Sequence, residues 1–256
     1  MRLSLCLDPG RSWPETVRLA GAAEEAGLDG LWVCDHFMPH DPDDRSVAGP
    51  VLEGWSSLAA LAVATSRVTL GTLVLGATYR SAGLVAAMAA TLQALSNGRL
   101  VLGLGAGWQQ NEHTAYGIAL APPGLRLTAF EQYVVTVREA LGASVPLLVG
   151  GGGEQRTLRI AARHADAWHV WGPAERFGHK SAVLDRRCAE VGRDRGAIRR
   201  VSGEVVDPWM PDDEVAALLD GYRDAGCDEL VLRDHRDDEA DAVARTVDQV
   251  VRLASR

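Results

Sequence analysis

Strand-like and helix-like segments alternate along the whole of this chain, and that alternation most limits how it can fold. RLSLCL opens as a strand, and ETVRLAGAAEEAG has helical spacing up to Gly27, a good C-terminal breaker. LDGLWVCD and the helix LEGWSSLAALAVATS follow, separated by a polar loop rich in Asp and Pro. Next come VTLGTLVL with SAGLVAAMAATLQALS, and GRLVLGLGAG with RLTAFEQYVVTVREALG. VPLLVGG pairs with EQRTLRIAARHA, and DAWHVWG with a helix from about Ala174 to Val191. IRRVSGEVV with DDEVAALLDGYRDAG, then CDELVLRD with DEADAVARTVDQVVRLASR, complete the series. Strands joined by crossover helices run parallel, and the crossovers are right-handed. Eight such units in 256 residues predict one closed (β/α)8 TIM barrel, which typically takes about 250 residues, over an open doubly wound sheet. The expectation is a single TIM-barrel domain over residues 1–256, with its first strand near Leu3 and its last near Leu232.

Charge excludes some partners. The formal net charge is -8 and no Lys/Arg cluster offsets it, so nucleic acid is not an expected partner. No stretch is long and apolar enough to span a bilayer, and RLSLCL after Met1 lacks the pattern of a secretory leader. Cys6, Cys34, Cys188 and Cys227 form no CxxC pair, and three of them lie in strand-like runs. They read as buried structural thiols in a reducing, cytoplasmic setting.

Barrel active sites lie at the carboxyl ends of the strands. The second strand ends in Asp35-His36, a carboxylate beside a side chain that titrates near neutrality. A structural histidine is the alternative. The fourth ends in Gly103, Gly105 and Gly107, then Trp108, with Glu112 and His113 nearby. The fifth ends in Gly150, Gly151, Gly152 and Gly153, opening a helix at Glu154. Such a run either exposes backbone N–H groups to a phosphate beside a positive helix end or makes a tight turn. Arg156 can add a charge-assisted bond to that phosphate. Trp108, Trp168 and Trp171 fall at strand ends, where a planar ligand can stack. No metal is expected: Pro39 separates His36 from His40, which argues against one helical face. GxGxG at Gly103 to Gly107 lacks the dinucleotide spacing, and G-x-S-x-G is absent.

AEEAGLDGLWVCDHF, LEGWSSLAALAVATSRVTLGTLVLGATYR, LSNGRLVLGLGAGWQQNEHTAYGI and VPLLVGGGGEQRTLRIAARHADAW together resemble the luciferase-like monooxygenase family, and within it the coenzyme F420-dependent oxidoreductases. The resemblance implies a bacterial luciferase-like barrel that moves a hydride between F420, or alternatively FMN, and a small organic substrate. It places His36 beside the ring with Asp35 in support, and a cis peptide at Leu73–Val74 behind the ring. Gly105, Ala106 and Gly107 would line the ring's other side, and Gly150 to Gly153 would hold phosphate. Trp108 stands where the family's sugar-phosphate dehydrogenases carry a Glu proton donor, which argues against that substrate class and leaves Glu112 as a substitute. EALGASVP joins the fourth helix directly to the fifth strand, where relatives carry an inserted segment. That shortening also admits a non-catalytic flavin binder resembling the nonfluorescent flavoprotein of luminous bacteria, although the retained Asp35-His36 and glycine loop favour an enzyme. The resemblance further implies a homodimer through the second and third helices. Leu58, Ala59, Leu61, Ala62 and Val63, with Leu84, Val85, Ala86, Ala87 and Met88, are apolar beyond a single stripe.

Overall fold

A computed structural model describes residues 1–39, 51–205, 207, 209–233 and 239–255. The strands are β1 (Arg2–Leu7), β2 (Gly30–Val33), β3 (Thr69–Thr72), β4 (Leu75–Gly76), β5 (Leu100–Gly105), β6 (Leu147–Gly150), β7 (Ala167–Trp171), β8 (Arg199–Glu204) and β9 (Glu229–Arg233). All pair in parallel, and β1 bonds to both β2 and β9. β3 and β4 are two pieces of the third barrel strand, interrupted by the cis peptide Leu73–Val74. Both pieces pair with β5, which closes the ring into an eight-stranded barrel. The helices around it are α1 (Trp13–Glu25), α2 (Gly54–Ala64), α3 (Ala82–Leu95), α4 (Gln110–Ala115), α5 (Pro123–Leu141), α6 (Thr157–His164), α7 (Ala174–Glu190), α8 (Asp212–Asp224) and α9 (Ala240–Ala254).

The period-two alternation of strands divides the apolar residues into two cores. One buried set fills the barrel lumen: Cys6, Trp32, Leu73, Val101, Leu148, Ala167, Val201 and Val231, one residue from each barrel strand. The larger set, with Leu31, Leu102, Val149 and Leu230 among it, packs against the helices. Two indoles need glycine opposite them. A Cβ on Gly71 would overlap the Trp32 ring, and one on Gly203 would overlap the Trp171 ring. Below the lumen Glu229, 1% exposed, accepts from Ser4 Oγ at 2.7 Å and Trp32 Nε1 at 3.0 Å.

Three details differ from the sequence reading. The helix after the glycine run starts at Thr157, three residues later than expected, because Glu154 to Arg156 form a turn. A short extra helix, α4, sits in the long loop after β5 and carries Glu112 and His113. Ala62 faces the barrel and is buried, whereas Val63 and Leu84 are 82% and 53% exposed. Among the described residues no helix is long and apolar enough to cross a membrane.

Candidate active site

A cavity of about 750 Å³ opens at the carboxyl ends of the strands, within the range of small-molecule sites. Its wall includes Cys34, Asp35, His36, Leu73, Val74, Gly105, Ala106, Gly107, Trp108, Gly150, Gly151 and Gly152. His40 lies outside the described residues.

Successive residues of an extended chain point to opposite sides, and Asp35 and His36 accordingly take different partners. Asp35 receives Arg80 in a two-pronged bond, Nη1 to Oδ2 at 2.9 Å and Nη2 to Oδ1 at 3.0 Å. It also accepts from Gly76 N at 2.9 Å. It therefore clamps the end of β2 to β4 and to the start of α3, and the expected support of His36 by Asp35 is not a hydrogen bond. Burial raises the Asp35 carboxyl against the opposing pull of Arg80.

Glu112 takes the place beside His36. Its carboxylate lies 3.1 Å from His36 Nδ1. It also accepts from Met38 N at 3.0 Å, from Phe37 N and from the Tyr79 hydroxyl. Burial pushes Glu112 up, but these donors outweigh it and hold the carboxyl below its usual value. An ionised carboxylate only accepts, so His36 Nδ1–H donates to it, and His36 lines the cavity. Burial alone would depress His36. The Glu112 bond and neighbouring negative groups reverse that and raise it. The Glu112 side chain is fully buried and absent from the cavity wall. The structure thus sets Glu112 behind His36, bonded to its Nδ1, and not on the cavity wall where a substitute proton donor was expected. Trp108, half exposed, meets the His36 ring edge-on with centroids 5.8 Å apart.

The glycines have separate reasons. A Cβ on Gly105 would come within 2.5 Å of Val74 Cγ2, and one on Gly150 within 2.7 Å of Val74 Cγ1. These two make room for the Val74 buttress beside the cis peptide. Gly107 has φ 79° and Gly151 φ 119°, regions that L side chains rarely adopt. Gly151 N donates to His169 O at 2.9 Å, so that amide is already engaged. Gly153 is not on the cavity wall. Arg156 reaches away from the cavity to Gly124 O at 2.6 Å and Thr128 Oγ1 at 2.8 Å, so it is not placed to meet a phosphate there. Arg176, in the first turn of α7, lines the cavity with Gly152 and Thr157 instead. Lys180 is near Gly152 too, but Glu154 holds it at 2.6 Å.

Trp168 is fully buried, bonded to Gly151 O and stacked near Phe177, so it offers no ligand platform. Trp171 does line the cavity, edge-on to His169 and beneath the Arg233 guanidinium. Burial lowers His169 to about 3, so it is neutral, and its Nε2 has no hydrogen-bond partner among the described residues. Reading one turn into the helix after the sixth strand would have found Arg176, and extending the strand-end reading to the eighth strand would have found Arg233.

A cavity walled by glycines, by the residues of the cis peptide Leu73–Val74 and by a carboxylate-bound histidine thus opens at the carboxyl ends of the barrel strands. The chain belongs to the luciferase-like monooxygenase family, whose profile matches residues 2–223. It is 38% identical over 128 residues to an F420-dependent glucose-6-phosphate dehydrogenase of Amycolatopsis mediterranei, a match covering 50% of this chain and 35% of that protein. An uncharacterized protein of Mycobacterium tuberculosis, Rv0953c, is 30% identical over 177 residues, 60% of this chain and 61% of its own length. The chain thus spans less than two thirds of these curated relatives. Among solved structures, an F420-dependent secondary alcohol dehydrogenase with an F420-acetone adduct superposes with a TM-score of 0.83 at 17% identity, covering 97% of this chain and 98% of its own.

Proposed function

We propose that the protein is an F420-dependent oxidoreductase acting on a small organic substrate, and His36 at the wall of a glycine-lined cavity, bonded to the buried Glu112 behind it, carries that reading. The residues suit such a cofactor. Gly107 and Gly151 keep the backbone free of side chains where a planar, phosphorylated ligand would lie, and the orphaned His169 Nε2 offers it a hydrogen bond. The bound cofactor would supply hydride transfer. His36, whose imidazolium the Glu112 carboxylate favours, holds or gives the accompanying proton at Nε2. Val74 backs the ring, and Arg176 with the Gly152 backbone takes the phosphate. F420 relatives favour the deazaflavin over FMN. A built proton-handling pair favours an enzyme over a flavin store. The four free cysteines suit the reducing cytoplasm.

Titrating the purified protein with F420 and with FMN, followed by absorbance, tests this directly. F420 should bind more tightly, and Arg176→Ala should weaken it about tenfold, the loss of one charge-assisted bond of about 1.5 kcal/mol. Gly152→Val should weaken it further, because a Cβ there already meets Val170 at 3.1 Å. Arg156→Ala should leave affinity unchanged. Tighter FMN binding would reject the deazaflavin reading, and intact affinity in a folded Arg176→Ala would reject the phosphate assignment.

A homodimer through α2 and α3 belongs to the same reading. The outward residues Ala60, Val63 and Ala64 on α2 and Gly83, Leu84, Ala87, Ala90 and Leu95 on α3 carry no charge. An uncharged face of small side chains lets two helix pairs approach closely. Light scattering at micromolar concentration should report twice the chain mass. Val63→Glu with Leu84→Glu should halve it; Ala62 is unsuited to this test because it is buried in the barrel core. A wild-type monomer, or a double variant that stays dimeric, would reject this interface.

A further inference from the structure

Cys6 and Cys34 form a thiol pair that the proton and hydride chemistry does not use. Cys6 on β1 is opposite Trp32 in the β1–β2 register, and Cys34 is the next inward residue of that second segment after Trp32. Both side chains therefore point into the top of the lumen, with the sulfurs 3.6 Å apart. Their surroundings differ. Cys6 is 2% exposed beneath the cavity floor, whereas Cys34 is half-buried and lines the cavity two residues before His36.

We propose that Cys34 is a covalent modification site for soft electrophiles of the α,β-unsaturated carbonyl class, with the Cys6 thiol behind it donating the hydrogen bond that sustains a thiolate. One sulfur of a close pair gives its proton up more readily because the other can donate to it. The charged groups facing Cys34 have the same effect on balance. Hydrogen bonding from Cys6 comes first, burial opposes it, His36 and Arg233 then favour the thiolate, and Asp8 works against it; the result is about 7. The Cys6 thiol is pushed up correspondingly, first by its bond to Cys34 and then by burial. The other two cysteines lack these features: burial raises Cys188, and raises Cys227 to about 12.

The reaction is a balanced addition. The Cys34 sulfur lone pair forms a C–S bond at the acceptor's β-carbon, the C=C π pair moves to the α-carbon, and that carbon takes a proton from water. No oxidant or reductant is consumed, and the Cys6 proton stays where it is. Such capture would place a thioether inside the cavity and so link entry of a reactive carbonyl compound to loss of the site.

N-ethylmaleimide is the probe, applied to the full chain and read by intact mass and peptide mapping. One adduct per chain, at Cys34, is expected near neutral pH, and Cys34→Ala should lose it. The labelling rate should be half-maximal near pH 7. Cys6→Ala should move that midpoint toward the ordinary thiol value of about 8.5, slowing labelling at pH 7 about tenfold, and Cys6→Ser should restore it because a hydroxyl also donates. Circular dichroism checks that each variant is folded. Labelling spread over several cysteines, no adduct at Cys34, or a midpoint indifferent to Cys6→Ala would each overturn the assignment. Maleimide capture needs no cofactor, so its outcome is separate from the F420 titration.

Discussion

Turnover of the His36→Ala variant falls by about 10²–10⁴ against the wild type, the range for losing a general acid or base, while F420 affinity changes by less than about threefold. The split follows from the wiring of the site. Removing the imidazole takes away the group proposed to exchange a proton at the cavity, yet Glu112 keeps its bonds to Phe37 N, Met38 N and Tyr79. The loop after β2 and the cofactor walls therefore remain in place. Assay is by the deazaflavin's absorbance with whichever carbonyl or alcohol the wild type converts. The pH profile gives a second readout. In the direction where His36 donates, activity is present while it is protonated and is lost as pH rises through its raised value. Glu112→Gln withdraws the charge that favours imidazolium, so that limb moves to lower pH. An unchanged His36→Ala rate would return His36 to a structural role, and an unmoved limb in Glu112→Gln would remove Glu112 as its positioning residue.

Glu112→Ala destabilises the fold by about 3–5 kcal/mol, the usual loss on breaking a buried, fully bonded charge. Four donors converge on this carboxylate: His36 Nδ1, Phe37 N, Met38 N and the Tyr79 hydroxyl. With alanine, the amide and hydroxyl groups lose their buried acceptor, each costing about 1–3 kcal/mol if left unpaired. Glutamine retains the shape and part of the acceptor capacity, so Glu112→Gln should lose less than half as much. Urea midpoints at fixed slope measure both. A loss below about 1 kcal/mol for Glu112→Ala would show that α4 is not tied to the β2 loop through this side chain.

Much of the architecture was legible because it is periodic. Apolar strand-like runs alternate with helical segments along the whole chain, and that order does not depend on distant partners. The ring of β1–β9 follows from that order with right-handed crossovers. Positions at strand ends were legible for the same reason: His36, Gly105, Trp108 and Gly150 fall on the cavity wall because chain order puts them at or just beyond the ends of β2, β5 and β6. The cis peptide at Leu73–Val74 came only through family resemblance, since nothing local in TLVL marks it.

Partnership was not legible. Asp35 and His36 are neighbours in sequence, yet one bonds Arg80 from the third unit and the other Glu112 from the fourth. Arg156 and Arg176 are both basic residues just beyond strands, yet one turns toward α5 and the other toward the cavity. Gly150 looks like part of a phosphate loop, although Val74 from a different strand is what crowds it. In each case the deciding contact joins residues tens of positions apart. Local spacing governs backbone geometry, and hence the barrel and which residues reach its mouth. Closure of the ring alone brings distant side chains into range, so only the tertiary structure decides which carboxylate bonds His36 and which arginine faces the cavity.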